Sequence, residues 1–462
     1  MKVFENDKLR ICWFASIGTV AIIPIILSIF YAPIEPDSGY FLSIIERLNE
    51  GYVPYKDFQF GYTPIVIYIG LFLKKTFSIG INYEFYLIVH FIFQIISAFV
   101  VFKITATLII RKDYAFYSAI LFLLASHWNG GNAFLFETPS LLFGLAAIYI
   151  TISNKHNTSY FIIIGVLVAL SFLSKQYGFG FFFLIIYLII FNPNRWRQIV
   201  FFVLGFSIPI LALCIIWGKD FIPVLVGGTS YSWNGSWLEK SDVLIDRMFN
   251  FFLRIFPVLI ISIFYLPTVL MKNDRTFFLL LSMLVFGLFG FMAQFLFGPF
   301  SHYYLYIIPF ASILSFVILD QINTIKWFYM LFLIITIGMS FYSTFYNRVY
   351  KIYINSDVKK GQYLLANKIT KLVGNEKNLY ILNIGLIPQY YLTNTIPPNL
   401  STIGYTFGIS LTYEKNLTQV NSSIFVLKYA AEYNDYTNNS EINGALVKRN
   451  KTYIDKDVIL YR

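Results

Sequence analysis

Long apolar runs recur along the first 345 residues, and they constrain the fold of this chain more than any other feature. A run of about 20 apolar residues is long enough to cross the ~30 Å hydrocarbon core of a bilayer as a helix. Charged residues make up 13% of the chain, against roughly 25% in soluble domains. We therefore predict a polytopic α-helical membrane protein with about eleven transmembrane helices, at residues 12–31, 84–110, 114–128, 138–153, 159–174, 177–191, 198–218, 250–271, 276–297, 303–322 and 325–345.

The basic residues between these runs predict how the chain is oriented. Loops on the cytoplasmic side are enriched in Lys and Arg. If residues 64–80 do not cross the membrane, the basic loops at Arg111, Arg195 and Lys272 all lie inside, and if they do cross, all three lie outside. We therefore predict that residues 64–80, which begin with a proline and carry two lysines, lie against the membrane without crossing it.

This choice makes residues 32–83 an external loop that contains juxtamembrane helices. Within residues 38–50, apolar side chains at helical spacing alternate with Glu46, Arg47 and Asn49, a pattern typical of an amphipathic helix at the membrane surface. The first apolar run follows basic residues and has no clear cleavage site, so we interpret it as a retained anchor with its N-terminus inside.

The composition changes after residue 345, where Asn, Lys, Thr and Tyr replace the apolar runs. The sequence pattern there predicts one helix followed by strands, at residues 356–373, 379–383, 423–428 and 446–461. We therefore predict two domains: a transmembrane domain at residues 1–345 and a soluble extracytoplasmic α/β domain at residues 346–462.

Several classes of function are excluded by what the sequence lacks. The formal net charge is +11, but the basic residues lie mostly in short loops between apolar runs, so nucleic acid is not a predicted partner. No glycine-rich nucleotide loop is present. Cys12 and Cys214 are far apart in apolar runs, and no clustered His/Cys metal site exists. No cofactor is predicted with certainty, and a divalent cation is left open.

Four polar residues at the predicted outer face have both a structural and a functional interpretation. Asp37 follows the first span, where it caps a helix or acts as a general base. Glu137 precedes a proline at a span start, where it supports the helix N-terminus or orients an acceptor or a metal. Lys175, between two apolar runs, either snorkels to the interface or pairs with a phosphate. His302, next to Tyr303, is an interface residue or a phosphate contact.

Three segments of the first external loop carry a family resemblance: Glu35-Pro-Asp37-Ser-Gly-Tyr40, Gly51-Tyr-Val-Pro-Tyr-Lys-Asp57 and Tyr62-Thr-Pro64. They resemble the first external loop of the C-type glycosyltransferases, in the branch of the dolichyl-phosphate-mannose protein mannosyltransferases and aminoarabinose transferases. Glu137, Lys175 and the stretch from His302 continue the resemblance. The family's Asp-Glu pair is Asp37-Ser38 here, and Thr63 stands where the family often has a basic residue.

The resemblance implies an inverting glycosyltransferase of the plasma membrane, with its site on the extracytoplasmic side. Its partners would be a sugar donor on polyprenyl or dolichyl phosphate, an acceptor glycan, lipid or protein, and the lipid bilayer. Asp37 would be the catalytic base, while Lys175, His302 and Tyr303 would bind the donor phosphate. Glu137, Asp57 and Tyr55 would bind or orient the acceptor.

Three other functions remain open from the sequence. A polysaccharide polymerase or ligase would also be polytopic with an external loop, but it would rely on external arginines. A transporter of lipid-linked glycans would favour internal repeats, and we find none. A membrane scaffold would tolerate replacement of Asp37 and Lys175.

Overall fold

The structure, a computed structural model, divides the chain into two compact units. One unit comprises Met1–Tyr31, Leu87–Ala212 and Asn234–Ile354, and the other comprises Ala32–Tyr86, Leu213–Trp233 and Asn355–Arg462. The residues that it describes are 7–58, 60–78, 82–128, 133–153, 158–190, 194–227, 274–297, 301–321, 356–376, 378–382, 386–395, 420–421, 423–429, 440–455 and 458–462, with isolated positions between 245 and 350. The predicted span at 250–271 and most of that at 325–345 lie outside the described residues.

Helices dominate the described chain. In chain order they are α1 (Asp7–Tyr31), α2 (Pro36–Asn49), α3 (Ile65–Phe77), α4 (Tyr83–Leu108), α5 (Lys112–Trp128), α6 (Glu137–Ser153), α7 (Tyr160–Ser174), α8 (Gly180–Ile190), α9 (Arg195–Trp217), α10 (Ile222–Gly227), α11 (Asp274–Phe297), α12 (Ile308–Gln321), α13 (Ser356–Val373), α14 (Pro388–Thr393) and α15 (Ser440–Val447). Each predicted span that falls within the described residues coincides with one of these helices.

Not all of these helices are long enough to cross a bilayer unaided. Among the described residues, Tyr83–Leu108 and Arg195–Asp220 meet the length and hydropathy of a span. Gly18–Tyr31 and Pro36–Asn49 would form a third only if the pair, bent by 65°, counted as one span. Over the described residues, five further apolar helices have 10–17 residues: Glu137–Ser153, Tyr160–Ser174, Gln176–Ile190, Phe277–Gly290 within α11, and Ile308–Asp320. The total of about eleven spans therefore stays a prediction.

Two predicted spans begin later than the sequence indicates. The span at 177–191 opens with a 3₁₀ turn over Gln176–Phe179, and its α-helix begins at Gly180. The span at 303–322 likewise opens with a 3₁₀ turn over Ser301–Tyr306, and its α-helix begins at Ile308. Apolar composition runs through both turns, so hydropathy alone places the start of each helix too early.

Aromatic packing and close backbone contacts hold the first unit together. The rings of Phe181, Phe286 and Phe310 pack as a buried group, with centroids 4.8 Å apart for Phe181–Phe286 and 5.7 Å apart for Phe286–Phe310. Gly165 of α7 and Gly205 of α9 lie so close to the backbone of the opposite helix that neither has space for a Cβ atom. Such close approach at small residues is typical of helix pairs in membranes.

In the second unit, α2 is buried along most of its length, which corrects the predicted amphipathic helix. The amphipathic pattern predicts Glu46 and Arg47 on a polar, exposed face, but these residues are only 8% and 1% exposed. Glu46 accepts hydrogen bonds from Lys74 Nζ of α3, at 2.6 Å from Oε1. The Arg47 guanidinium lies 5.5 Å from the centre of the Phe58 ring. Both polar side chains therefore face neighbouring elements.

A four-stranded sheet forms the C-terminal part of this unit. Its strands are β1 (Leu379–Ile381), β2 (Phe425–Tyr429), β3 (Lys451–Asp455) and β4 (Val458–Tyr461). They lie in the order β1-β2-β4-β3, with β1 parallel to β2 and the other pairs antiparallel. The segment predicted as strand-like at 446–461 contains the end of α15 and then the antiparallel pair β3 and β4. The division into domains at 345 stays a prediction.

Candidate functional site

The first unit gathers three of the predicted site residues into one buried cluster. Lys175 Nζ lies 2.9 Å from Glu137 Oε1. His302 Nε2 lies 3.7 Å from the same oxygen. The side chains of Glu137, Lys175 and His302 are 1%, 8% and 12% exposed. Residues far apart in sequence are thus brought to one carboxylate.

Backbone geometry explains why Lys175 reaches this position. Helix α7 ends at Ser174, and Lys175 is extended, with φ −155° and ψ 135°. The chain then closes into the 3₁₀ turn, in which Gly178 N donates to Lys175 O at 2.8 Å. Breaking the helix at this residue turns its side chain away from the direction that a continuous helix would give it.

Two serines fix Glu137 relative to Lys175 by joining α6 to α7. Ser140 Oγ donates to Ser171 O at 2.8 Å, and Ser171 Oγ donates to Ser140 O at 2.7 Å. Each serine is one turn from a charged residue of the cluster. Reciprocal hydrogen bonds between buried hydroxyls and carbonyls leave little freedom for one helix to slide along the other.

The charges in the cluster depend on one another. Burying a single charge is costly, whereas a paired one is tolerated. Burial lowers the pKa of the His302 imidazole to about 4, with Glu137 raising the pKa and Lys175 lowering it. At neutral pH, His302 is therefore uncharged and can donate one hydrogen bond, and the positive charge of the cluster belongs to Lys175.

Tyr303 lies at the edge of this cluster. Its ring centroid is 4.6 Å from that of His302 and 5.2 Å from that of Tyr177. Tyr303 is 6% exposed and, although it opens the predicted span at 303–322, it belongs to the 3₁₀ turn that precedes α12. Lys175 Nζ also lies 5.9 Å from the centre of the Tyr177 ring.

Asp37 lies in the second unit, in the first turn of α2. The N-cap position is Glu35, so Asp37 is not the cap that the sequence pattern allowed. An acidic residue in the first turn still favours the positive end of the helix dipole. The side chain of Asp37 is partly exposed, although Ser38 and Gly39 next to it are buried.

Tyr55 and Asp57 form a tight turn in the same unit. Asp57 is exposed, and its Oδ2 accepts a hydrogen bond from Val53 N at 2.7 Å. Tyr55 has φ +69°, which is uncommon for a residue other than glycine. Its hydroxyl donates to Tyr62 O at 2.5 Å. These bonds give the Gly-x-x-Pro-Tyr-x-Asp motif a local role in shaping the loop.

Sequence reasoning missed His90, a buried histidine beside the cluster. His90 Nε2 lies 3.4 Å from Thr138 Oγ1 and 3.5 Å from Gln94 Nε2. The sequence did contain a signal for His90, because it is an ionisable residue inside the apolar run at 84–110. Such a residue is a functional candidate by default. Within the described ranges, no group of three or more His, Cys, Asp or Glu side chains is arranged to hold a metal ion.

Comparisons with known proteins agree on the fold. Residues 64–217 match the family model of the dolichyl-phosphate-mannose-protein mannosyltransferases. No curated protein matches the sequence. The crystal structure of ArnT from Cupriavidus metallidurans in the apo state superposes with a TM-score of 0.57 at 13% identity, over 98% of each chain. ArnT bound to undecaprenyl phosphate gives a TM-score of 0.61 at 12% identity, over 97% of each chain.

The mannosyltransferase family model matches about a third of the chain, residues 64–217, and the likeness to ArnT shows a shared fold. The matched family model covers α3 to α9, and both Glu137 and Lys175 of the buried cluster fall within it. The structural likeness to ArnT extends over nearly the whole chain. The chain accordingly has a polytopic membrane fold like that of ArnT.

Proposed function

We propose that this protein is a C-type glycosyltransferase, and that it moves a sugar from a polyprenyl-phosphate or dolichyl-phosphate carrier to an acceptor hydroxyl at the outer membrane face. The fold of ArnT, which was crystallised with undecaprenyl phosphate, supports a lipid-phosphate donor, as does the match to the mannosyltransferase family model. The observation that carries the proposal is the buried cluster of Glu137, Lys175 and His302. A buried charged group inside a membrane protein is costly, and it is usually kept for function.

Lys175 is the proposed contact of the donor phosphate. Negative charge develops on the phosphate oxygen as the bond to the sugar breaks, and a positioned cation stabilises that charge. Glu137 orients Lys175 before the donor arrives, because Glu137 Oε1 and Lys175 Nζ form an ion pair at 2.9 Å. His302, uncharged at neutral pH, and Tyr303 would add hydrogen bonds to the phosphate.

Asp37 is the proposed general base. It takes the proton from the acceptor hydroxyl while that oxygen attacks the anomeric carbon. The bond from this carbon to the phosphate oxygen breaks, and the lipid phosphate leaves with the electron pair. One in-line displacement inverts the anomeric centre, and it requires one carboxylate base, unlike the paired carboxylates of glycosidases.

The remaining predicted residues receive supporting roles in this mechanism. Glu137 orients Lys175. Tyr55 and Asp57 shape the external loop through their bonds to Tyr62 and Val53. Acceptor binding by these three residues, and a need for a divalent cation, stay proposals that the transfer assay below can test.

Replacing Asp37 with Asn tests the base directly. We expect Asp37→Asn to lower transfer by about 10²- to 10⁴-fold, because the amide cannot accept the proton. The measurement is transfer of labelled sugar from a panel of polyprenyl-phosphate sugars to membrane extracts, with and without a metal chelator. Full activity of Asp37→Asn would remove the base from the mechanism.

Asp113→Asn is the matched control. Asp113 also lies in the first turn of a helix, so its replacement removes the same favourable interaction with the helix dipole. It forms an ion pair with Arg111 at 2.6 Å that is partly exposed, and such pairs contribute about 0–1 kcal/mol. We expect Asp113→Asn to keep nearly all transfer activity. A loss equal to that of Asp37→Asn would show a general effect of removing a helix-start acid.

A further inference from the structure

The C-terminal part of the chain holds the segment that carries Asp37, and both belong to the second compact unit. Gln362 of α13 makes a reciprocal pair of hydrogen bonds with the backbone of Ile34. Ile34 N donates to Gln362 Oε1 at 2.9 Å, and Gln362 Nε2 donates to Ile34 O at 3.0 Å. A primary amide satisfies both backbone groups at once only in this orientation.

A second contact holds the other side of Asp37. Gly39 packs against Pro388 at the start of α14, and a Cβ atom added to Gly39 would lie 2.7 Å from Pro388 Cα. Gln389 Nε2 in turn donates to Gln362 O at 3.2 Å, which joins α14 to α13. The chain on either side of Asp37 is thus bound by two helices that are themselves connected.

We propose that Gln362 is a positioning residue for Asp37, the base of the proposed function on which this inference rests. Ile34 lies three residues before Asp37, in the short connection between α1 and α2. A connection of this kind is mobile unless its backbone is bound. By fixing the Ile34 peptide groups, the Gln362 amide sets where α2 begins and hence where the Asp37 carboxylate lies.

The size of the expected effect follows from how strongly rates depend on geometry. A shift of about 1 Å in a catalytic group can cost on the order of 100-fold in rate. The same shift leaves donor affinity nearly unchanged, because Lys175 and His302, the proposed donor contacts, belong to the other unit. A positioning role therefore predicts loss of kcat with little change in KM for the donor.

The experiment compares Gln362→Leu with Asn367→Leu in the full-length protein in membranes or detergent. Gln362→Leu keeps a similar volume but removes both hydrogen bonds to Ile34. Asn367→Leu replaces an exposed amide on the same helix. The readouts are kcat and KM for labelled sugar transfer, and hydrogen exchange in peptides that cover residues 32–40. Gln362→Glu is a third variant, which can accept from Ile34 N but cannot donate to Ile34 O.

We expect Gln362→Leu to lower kcat about 10- to 100-fold, to leave the donor KM within about twofold, and to speed exchange at residues 32–40. The kcat and the exchange rate of Gln362→Glu should lie between those of Gln362→Leu and the unchanged protein. Asn367→Leu should change neither kcat nor exchange. Unchanged kcat in Gln362→Leu would overturn the proposal, whether exchange speeds up or not. If Asp37→Asn stays active while Gln362→Leu speeds exchange, the base assignment fails, and the positioning role fails with it, but the contact itself stands.

Discussion

At the scale of single residues, the central feature of the molecule is the buried ion pair of Glu137 and Lys175. Neither residue, taken alone in the sequence, indicates that the other is its partner. The sequence indicated Lys175 because it interrupts apolar runs, and Glu137 because it precedes a helix start. It could not predict that they meet, because the contact depends on how α6 and α7 align through Ser140 and Ser171. His302 joins them from a distant turn of the chain.

Substitutions in this pair separate its structural role from its chemical one. Removing one partner of a buried pair leaves an uncompensated charge and costs about 3–5 kcal/mol. We therefore expect Lys175→Met and Glu137→Gln each to lower the thermal stability of the purified protein. The double variant should regain most of that stability, because it buries no charge.

Sugar transfer should not return in the double variant, because Lys175, the cation proposed to contact the donor phosphate, is then missing. The measurement is a double-mutant cycle of melting temperatures beside transfer assays on the same preparations. A double variant with both stability and activity restored would assign the pair a purely structural role.

At the scale of elements, the sequence predicted the positions of helices well. It predicted less well the residue at which each helix begins and the elements that bury it. Periodicity indicated a helix at residues 38–50, which the structure has at Pro36–Asn49, and the later helix at Ser356–Val373. It failed at Glu46 and Arg47, which it placed on an exposed face. The periodicity of a short stretch of sequence describes that helix alone. The burial of Glu46 and Arg47 depends on contacts with α3 and with the turn that contains Phe58.

The turn at residues 51–58 allows a sharp test of what Asp57 does. Its carboxylate accepts a hydrogen bond from Val53 N, and an Asn side chain at this position can accept the same bond. We expect Asp57→Asn to keep transfer activity near that of the unchanged protein. Asp57→Ala should lower activity and stability, because it removes a bond that contributes about 0.5–1.5 kcal/mol.

The measurement is the transfer assay together with thermal unfolding of both variants. A strong loss of activity in Asp57→Asn, with stability unchanged, would instead favour a charged role for Asp57 toward the acceptor. The two variants therefore distinguish a role in shaping the loop from the predicted role in orienting the acceptor.

At the scale of the whole molecule, the fold agrees with that of ArnT over nearly the full chain at 12% identity. Helices in lipid need apolar surfaces and internally satisfied backbone groups, and many sequences meet these needs. This explains why composition and loop charge predict the general architecture. The buried cluster of Glu137, Lys175 and His302, by contrast, depends on a few polar contacts that composition does not reveal.

The orientation of the chain in the membrane is the last property that the sequence predicts and that experiment can decide. In a background with Cys12 and Cys214 replaced by Ser, Lys112→Cys and Lys360→Cys each introduce one exposed thiol. If residues 64–80 do not cross, an impermeant thiol reagent should label position 360 in intact cells and position 112 only after permeabilisation, because loops rich in Lys and Arg stay inside. One additional crossing at residues 64–80 would invert everything after it and reverse this labelling pattern. The reversed pattern would place Glu137 and Lys175 on the cytoplasmic side, and it would therefore exclude transfer at the outer face.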